Sequence, residues 1–181
     1  MEAFIRLLNE RSYDKIKVKD IVEECGINRN TFYYHFEDIP ALVEEILRLE
    51  TERVLGLGAE EIMDSWENAF IRAADFALQN KRAIYHIYNS VGRDVIEHYL
   101  NAIASDVMVR FVEKTADGLS VSEEDKKLII RFYRSALVGL IVDWLEAGMK
   151  YDPRVLIYRL GQLFEGNILL SLQRSIAVKP E

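Results

Sequence analysis

An all-α chain, with a small N-terminal three-helix unit and a larger C-terminal helical bundle, is what three features of this sequence predict. Apolar residues recur at i, i+3 and i+4 along most segments, the spacing that gathers them on one helix face. No stretch alternates apolar and polar residues over several positions, as a half-buried strand would. Residues 17–36 read as two short helices separated by Gly26. A chain of 181 residues, half of them hydrophobic, suits one compact unit or two small ones with a sizeable core.

The elements follow in order. Ala3-Phe4-Ile5-Arg6-Leu7-Leu8 makes a first helix. In the second, Val18, Ile21 and Cys25 share a face with Val22 beside them, which predicts Cys25 as a core residue. Gly26 supplies the turn, and Ile27 is expected to plug the gap beneath it. Asn28 suits the N-cap of a third helix, because its side chain can accept a bond from a free backbone N–H. Phe32 then points back at the second helix, with Phe36 one turn on. Arg29, Asn30, Thr31, Tyr33, Tyr34 and His35 are left facing outward.

A fourth helix starts near Pro40, whose missing N–H costs little in a first turn. Leu42, Val43, Ile46 and Leu47 give it an apolar stripe, and Gly56 and Gly58 should end it. Trp66, Phe70, Ala73, Ala74 and Ala77 mark the next helix. Ile84, Tyr85, Ile87, Tyr88 and Val91 mark a shorter one ending near Gly92. Ile96, Tyr99, Leu100, Ile103, Val107 and Phe111 form another, closed by Gly118. Ser122 with Asp125 three residues on is a capping-box pattern opening a long helix that Gly148 ends. Asp152-Pro153 starts a single final helix as N-cap and first residue. Residues 178–181 read as a frayed tail.

The last two helices are apolar on more than one side, so they have more to bury than their own domain offers. Leu137, Leu140, Ile141 and Trp144 on one, with Leu156, Leu160, Leu163 and Phe164 on the other, are the residues expected to pack against a second copy. The expected domain division is 1–50 for the N-terminal unit and 51–181 for the bundle.

Composition narrows the function. No apolar run approaches a membrane span and no signal peptide opens the chain, and one cysteine cannot form an internal disulfide; these features predict a cytoplasmic protein with no membrane partner. An enzyme finds little support. There is no His-Glu-x-x-His, the residues three before the histidines are Phe32, Ala83 and Val95, and no phosphate-binding glycine loop occurs. No catalytic residue, metal ligand or cofactor is therefore expected. The net charge of −7 argues against a generic nucleic-acid binder. The charge is arranged, however: Lys15, Lys17, Lys19 and Arg29 cluster around the two short helices, while Glu44, Glu45 and Glu50 lie on the fourth. An acidic bulk would suppress non-specific binding and leave specificity to a small patch.

Two short helices about a glycine, the second presenting hydrogen-bonding side chains, have the layout of a helix-turn-helix that sets its second helix in the DNA major groove. Lys17-Val18, Ile21-Val22, Cys25-Gly26-Ile27-Asn28 and Asn30-Thr31-Phe32-Tyr33-Tyr34-His35-Phe36 resemble the DNA-binding domain of the TetR family of bacterial regulators. The match covers roughly the first 50 residues. Residues 132–149 also resemble the C-terminal domain of a Firmicutes-type branch of that family. The resemblance implies a homodimeric regulator, more a repressor than an activator, on a palindromic double-stranded operator. It implies Arg29 and Tyr34 as base readers, with Asn30 and Thr31 near the groove and Lys17, Tyr33 and His35 on phosphates; Lys19 and Asn28 complete the expected DNA-binding set. Arg can fork onto guanine and Asn onto adenine, while cations and hydroxyls grip the backbone. Glu37 and Ile39 stand where the family often carries lysines, which shifts weight onto Lys15, Lys17 and Lys19. Family members usually carry further residues ahead of Ala3-Phe4, so Met1 is expected inside the first helix.

The resemblance further implies a small-molecule effector or a protein co-regulator acting through the C-terminal bundle. Trp66, Phe70, Tyr85, Tyr88, Tyr99 and Phe132 are the candidate pocket residues, with His86 and His98 as polar handles. Aromatic residues at helical spacing also serve as plain core. A helical adaptor that contacts protein rather than DNA is a further reading that the residues leave open.

Overall fold

Ten α-helices and one 3-10 turn make up the regular structure of the described residues, 1–56, 66–90 and 93–177, in the computed structural model. They are α1 (Glu2–Glu10), α2 (Val18–Cys25), α3 (Arg29–His35), α4 (Ile39–Gly56), α5 (Trp66–Gln79), α6 (Lys81–Tyr88), α7 (Arg93–Thr115), α8 (Glu123–Glu146), α9 (Pro153–Leu163) and α10 (Asn167–Ala177). The 3-10 turn, Tyr13–Lys15, joins α1 to α2. Met1 is the N-cap of α1 rather than a residue within it. The positions expected to end the shorter helix and the chain, Val91-Gly92 and 178–181, and Gly58 after α4, lie outside the described residues. None of the described helices is long and apolar enough to cross a membrane.

The helix ends carry the caps their residues suit. Ser122 Oγ accepts the Asp125 N–H at 3.1 Å, and Asp152 Oδ1 accepts the Arg154 N–H at 2.9 Å with Pro153 in the first turn. Asp38 does the same for α4, accepting the Ala41 N–H at 2.8 Å. Each such bond satisfies one of the donors that a helix start leaves open.

The expected single final helix is two. The helix ends at Leu163 and a new one begins at Asn167, with Gly166 at φ +71°. That left-handed conformation is easy only for glycine, so Gly166 permits a corner that the unbroken apolar periodicity from Val155 to Leu170 concealed.

Helices α7 and α8 form the main antiparallel pair, with α10 laid on both; α9 packs on α5, and α4 and α6 both lean on α7. Two apolar cores result. One gathers the N-terminal residues Phe4, Leu8, Ile16, Ile21, Val22 and Phe32 and runs on without a break through Leu42, Val43 and Leu47 into Ile84, Ile87, Trp144 and Met149. The other lies between α5, α7, α8, α9 and α10, around Phe70, Ala104, Val107, Leu137 and Leu172. The expected division at residue 50 is therefore not a gap in the core, because α1 packs on α6 as well as on the reader. His86 Nδ1 bonds the Leu8 carbonyl at 2.8 Å across that contact.

Candidate DNA-binding site

The second helix of the reader is held from behind and free in front. Phe32 is almost fully buried against α2 and α4, a burial worth about 1.5–3 kcal/mol. Its ring meets Tyr33 edge-on at 5.4 Å and Phe36 at 5.7 Å. Phe32 shares its inward face with Phe36, four residues on, so locking Phe32 inward turns Asn30, Tyr33 and Tyr34 outward, and Arg29 opens the helix in its exposed first turn. All four are exposed, Tyr34 to 84% and Tyr33 to 55%. His35 is exposed too, its ring 5.0 Å from that of Tyr34.

The turn before it is built on Gly26 at φ +66°. The Ile27 N–H reaches back to the Val22 carbonyl at 3.0 Å, the bond that closes a left-handed helix end. A Cβ on Gly26 would meet nothing within 4 Å, so the demand for glycine is one of backbone angle, not of space. Two expectations about this turn are corrected. Cys25 is exposed, and so is Ile27, at 41%. Ile21 and Val22 are the buried residues of α2, with Val18 packed beside them, and its last residues, Glu23 to Cys25, stay outside the core.

Asn28 is a cap first. Its Oδ1 accepts the Thr31 N–H at 2.9 Å and the Thr31 hydroxyl at 3.2 Å. Asn28 thus sets where the recognition helix begins, while Thr31 keeps its lone pairs for a partner. We expect Asn28→Ala to lower stability by about 1 kcal/mol and Asn28→Asp to retain it, read as urea midpoints. An unmoved midpoint in the alanine variant would show that this cap contributes nothing.

The charges around the reader divide in two. Arg6 pairs with Glu24 at 3.2 Å, Arg11 with Asp20 at 3.4 Å, and Lys19 with Glu23 at 3.6 Å. Lys15, Lys17 and Arg29 have no ion pair among the described residues and are exposed. Asp20 starts α2 by accepting the Lys17 N–H at 2.8 Å. That bond chiefly, then the charges of Arg11, Lys17 and Lys19, holds its carboxyl below the ordinary range. The chain is therefore acidic in sum yet keeps three exposed cations, Lys15, Lys17 and Arg29, free of ion pairs in or near the reader.

Of the candidate pocket residues, two meet at a cavity. Phe70 and Tyr99 line an apolar space of about 70 Å³ inside the bundle. The others sit elsewhere. Trp66 borders a surface groove near Phe164, and Phe132 is 65% exposed. Tyr88 is buried but faces Arg93, whose guanidinium lies 5.3 Å from its ring centroid. Tyr85 and His98 are exposed, and His86 is spent on the Leu8 carbonyl. Most of the lining went unpredicted, including Leu47, Ala73 and Ala74, Ile84 and Ile96. The legible signal was the small-residue run Ala73, Ala74 and Ala77, which cannot fill space against large neighbours. Among the described residues no group of three His, Cys, Asp or Glu side chains could hold a metal ion.

The residues expected at a subunit interface also divide. Leu137, Leu140, Ile141, Trp144, Leu156 and Leu160 all line the same cavity, with Leu137 and Trp144 buried in their own chain. A side chain already covered by its own chain has little apolar area to offer a second copy. Leu163 and Phe164 are exposed, at 58% and 49%. The apolar surface of α8 lies one face round from the expected one, at Leu128, Phe132, Ala136 and Gly139, all exposed. On α10, Ile176 shares a groove with Leu128, and Leu169 and Leu170 are exposed elsewhere on the helix.

Comparison with known proteins bears on both halves of the chain. Residues 1–46 match the family described as bacterial regulatory proteins, tetR family, and residues 64–166 match one described as a transcriptional regulator C-terminal region. An uncharacterized HTH-type transcriptional regulator of Bacillus subtilis, YvdT, is 32% identical over 60 residues, which are 31% of this chain and 31% of that protein. The chain thus matches under a third of the length of that curated relative. The solved structure of the dihydroxyacetone kinase operon activator DhaS superposes with a TM-score of 0.75, covering 96% of this chain and 94% of that one at 18% identity. At that identity the likeness shows the fold alone.

Proposed function

The chain belongs to the TetR family of bacterial transcriptional regulators, and we propose that it works as a homodimer that reads a palindromic operator and represses transcription there. The observation that carries this reading is the exposed row Arg29, Asn30, Tyr33 and Tyr34 on a helix whose inner side is pinned by Phe32. Arg29 and Tyr34 are assigned to base edges, with Asn30 and Thr31 beside them. Lys15, Lys17, Tyr33 and His35 are assigned to phosphates. Lys19 must first leave Glu23, and an exposed pair of that kind costs at most about 1 kcal/mol to break.

The homodimer is supported by apolar surface that a lone subunit leaves wet. Leu128 and Phe132 are each about two-thirds exposed, one turn apart on α8, and Ala136 and Gly139 continue their face. Small residues there allow a second helix to approach closely. Two readers held about 34–36 Å apart would meet half-sites one DNA turn apart. Control by a small molecule or a protein partner in residues 51–181 is part of the same proposal, with residues 1–50 as the reading domain.

Selection of bound DNA from a random duplex pool tests the reading. A palindromic consensus is expected, and failure to enrich any sequence would refute it. Lys15 and Lys17 from both subunits predict a log–log salt slope of roughly −4, which Lys17→Ala should make shallower by about 2. An unchanged slope would remove Lys17 from the phosphate contacts.

A further inference from the structure

Half of the reader's cations are held by acids of a single helix. The lysines and arginines of residues 1–46 are Arg6, Arg11, Lys15, Lys17, Lys19 and Arg29. Three of them meet α2: Arg6 Nε lies 3.2 Å from Glu24, Arg11 Nη1 3.4 Å from Asp20 and Lys19 Nζ 3.6 Å from Glu23. Asp20 has a duty in the fold, since it also accepts the Lys17 N–H that opens α2. Glu23 and Glu24 have none. Both are exposed, and neither carboxylate takes a backbone N–H among the described residues. An exposed pair of this kind adds little to stability. Two acids that do little for the fold therefore stand on the helix that, in a helix-turn-helix, crosses the phosphate backbone.

Their effect depends on range. A cation with a carboxylate beside it is neutral seen from afar, and salt screens charges over about 8–10 Å. It adds little to the sequence-independent attraction, which follows the number of phosphates a protein neutralises. At contact the same cation is still a donor. Arg6 gives Glu24 its Nε alone, and its two Nη groups have no partner among the described residues. Lys19 stands 3.6 Å from Glu23, beyond a normal hydrogen bond, so a phosphate at bonding distance displaces the carboxylate.

We propose that Glu23 and Glu24 set the selectivity of the reader: they silence Arg6 and Lys19 on DNA at large and yield them to phosphates where α3 seats on its operator. The inference rests on the reading of the chain as an operator-binding protein and adds the residues that hold off other DNA. Where the bases do not match, α3 does not seat, α2 stays off the backbone and the paired cations contribute nothing. Where they match, the base contacts bring α2 against the phosphates and both cations engage. Arg6 thereby joins the DNA contacts, although it lies on α1, ahead of the two reading helices.

Glu23→Gln, Glu24→Gln and the two together are titrated with the selected operator and with a random-sequence duplex across a salt series. Glu10→Gln is the charge-matched control, because Glu10 is exposed and has no ion pair among the described residues. Each single variant should bind the random duplex about 5-fold more tightly and steepen its log–log salt slope by about 2, one freed cation per subunit, and the double variant should gain about 10-fold or more. Operator affinity should rise by less than about 3-fold, so the ratio of the two affinities falls, and Glu10→Gln should move neither by more than about 2-fold. Melting temperatures should stay at the wild-type value, since all three side chains lie in water. An equal rise on both duplexes, a rise matched by Glu10→Gln, or no rise at all would overturn the proposal. A wild-type chain that selects no operator fails the DNA-binding reading and this inference with it, whereas an operator bound with an unmoved ratio fails this inference alone.

Discussion

Replacing Arg29 and Tyr33 together by alanine should reduce operator affinity by about 100-fold or more while leaving the fold and the subunit association intact. A bidentate arginine–guanine contact discriminates by about 1–3 kcal/mol, and a dimer makes the contact twice. The lost Tyr33 phosphate contact adds to this in each half-site. Neither side chain supports the fold: both are exposed, Arg29 has no ion pair among the described residues, and Tyr33 touches the core through the edge of its ring against Phe32. Fluorescence anisotropy on the selected operator, with light scattering and thermal unfolding on the same sample, separates the effects. Affinity that survives the double substitution would remove Arg29 and Tyr33 from the interface with DNA, whereas a wild-type chain that binds no operator would favour the adaptor reading, in which Glu37 and Ile39 mark a reader turned to protein.

Glutamate at both Leu128 and Phe132 should give a folded monomer whose operator affinity is about 100- to 10,000-fold weaker. The affinity falls because two linked readers gain from effective concentration and a single one does not. The monomer should still fold, because both side chains are already about two-thirds exposed within the chain and a charge there stays in water. Leu137→Glu makes the contrast: Leu137, on α8, is buried within the second core, so a carboxylate there is left without a partner and the chain should unfold. Sedimentation of the double variant decides the matter. A wild-type protein that sediments as a monomer, or a double variant that stays dimeric, would place the association surface elsewhere.

The reader was legible because its determinants are local. Asn28, Gly26 and Phe32 act within a few residues of themselves: a cap, a left-handed turn and one inward ring. Short-range rules of that kind are readable from spacing. The caps at Ser122 and Asp152 were legible for the same reason. Cys25 and Ile27 show the limit even here, since spacing put them inward and the shortness of α3 left nothing to cover them.

In the bundle, periodicity named the helices but not what each face meets. Leu137, Leu140, Ile141 and Trp144 read as surplus apolar area fit for a partner subunit, yet α5, α7 and α9 close over them around a cavity. The corner at Gly166 was hidden because an apolar stripe continues across it. Phe132 looked like a pocket residue, though it faces out.

By itself, then, the sequence determined the all-helical class, the glycine-centred reader with its outward row from Arg29 to His35, and most helix starts, since each depends on bonds made within one or two turns. The tertiary structure alone decided the merging of the reader's core with the bundle, the placing of a void at the seam between two cores, and the face of α8 left bare. Those depend on how separate helices are rotated against one another, and a helix with apolar residues on several sides can satisfy the same pattern in more than one rotation.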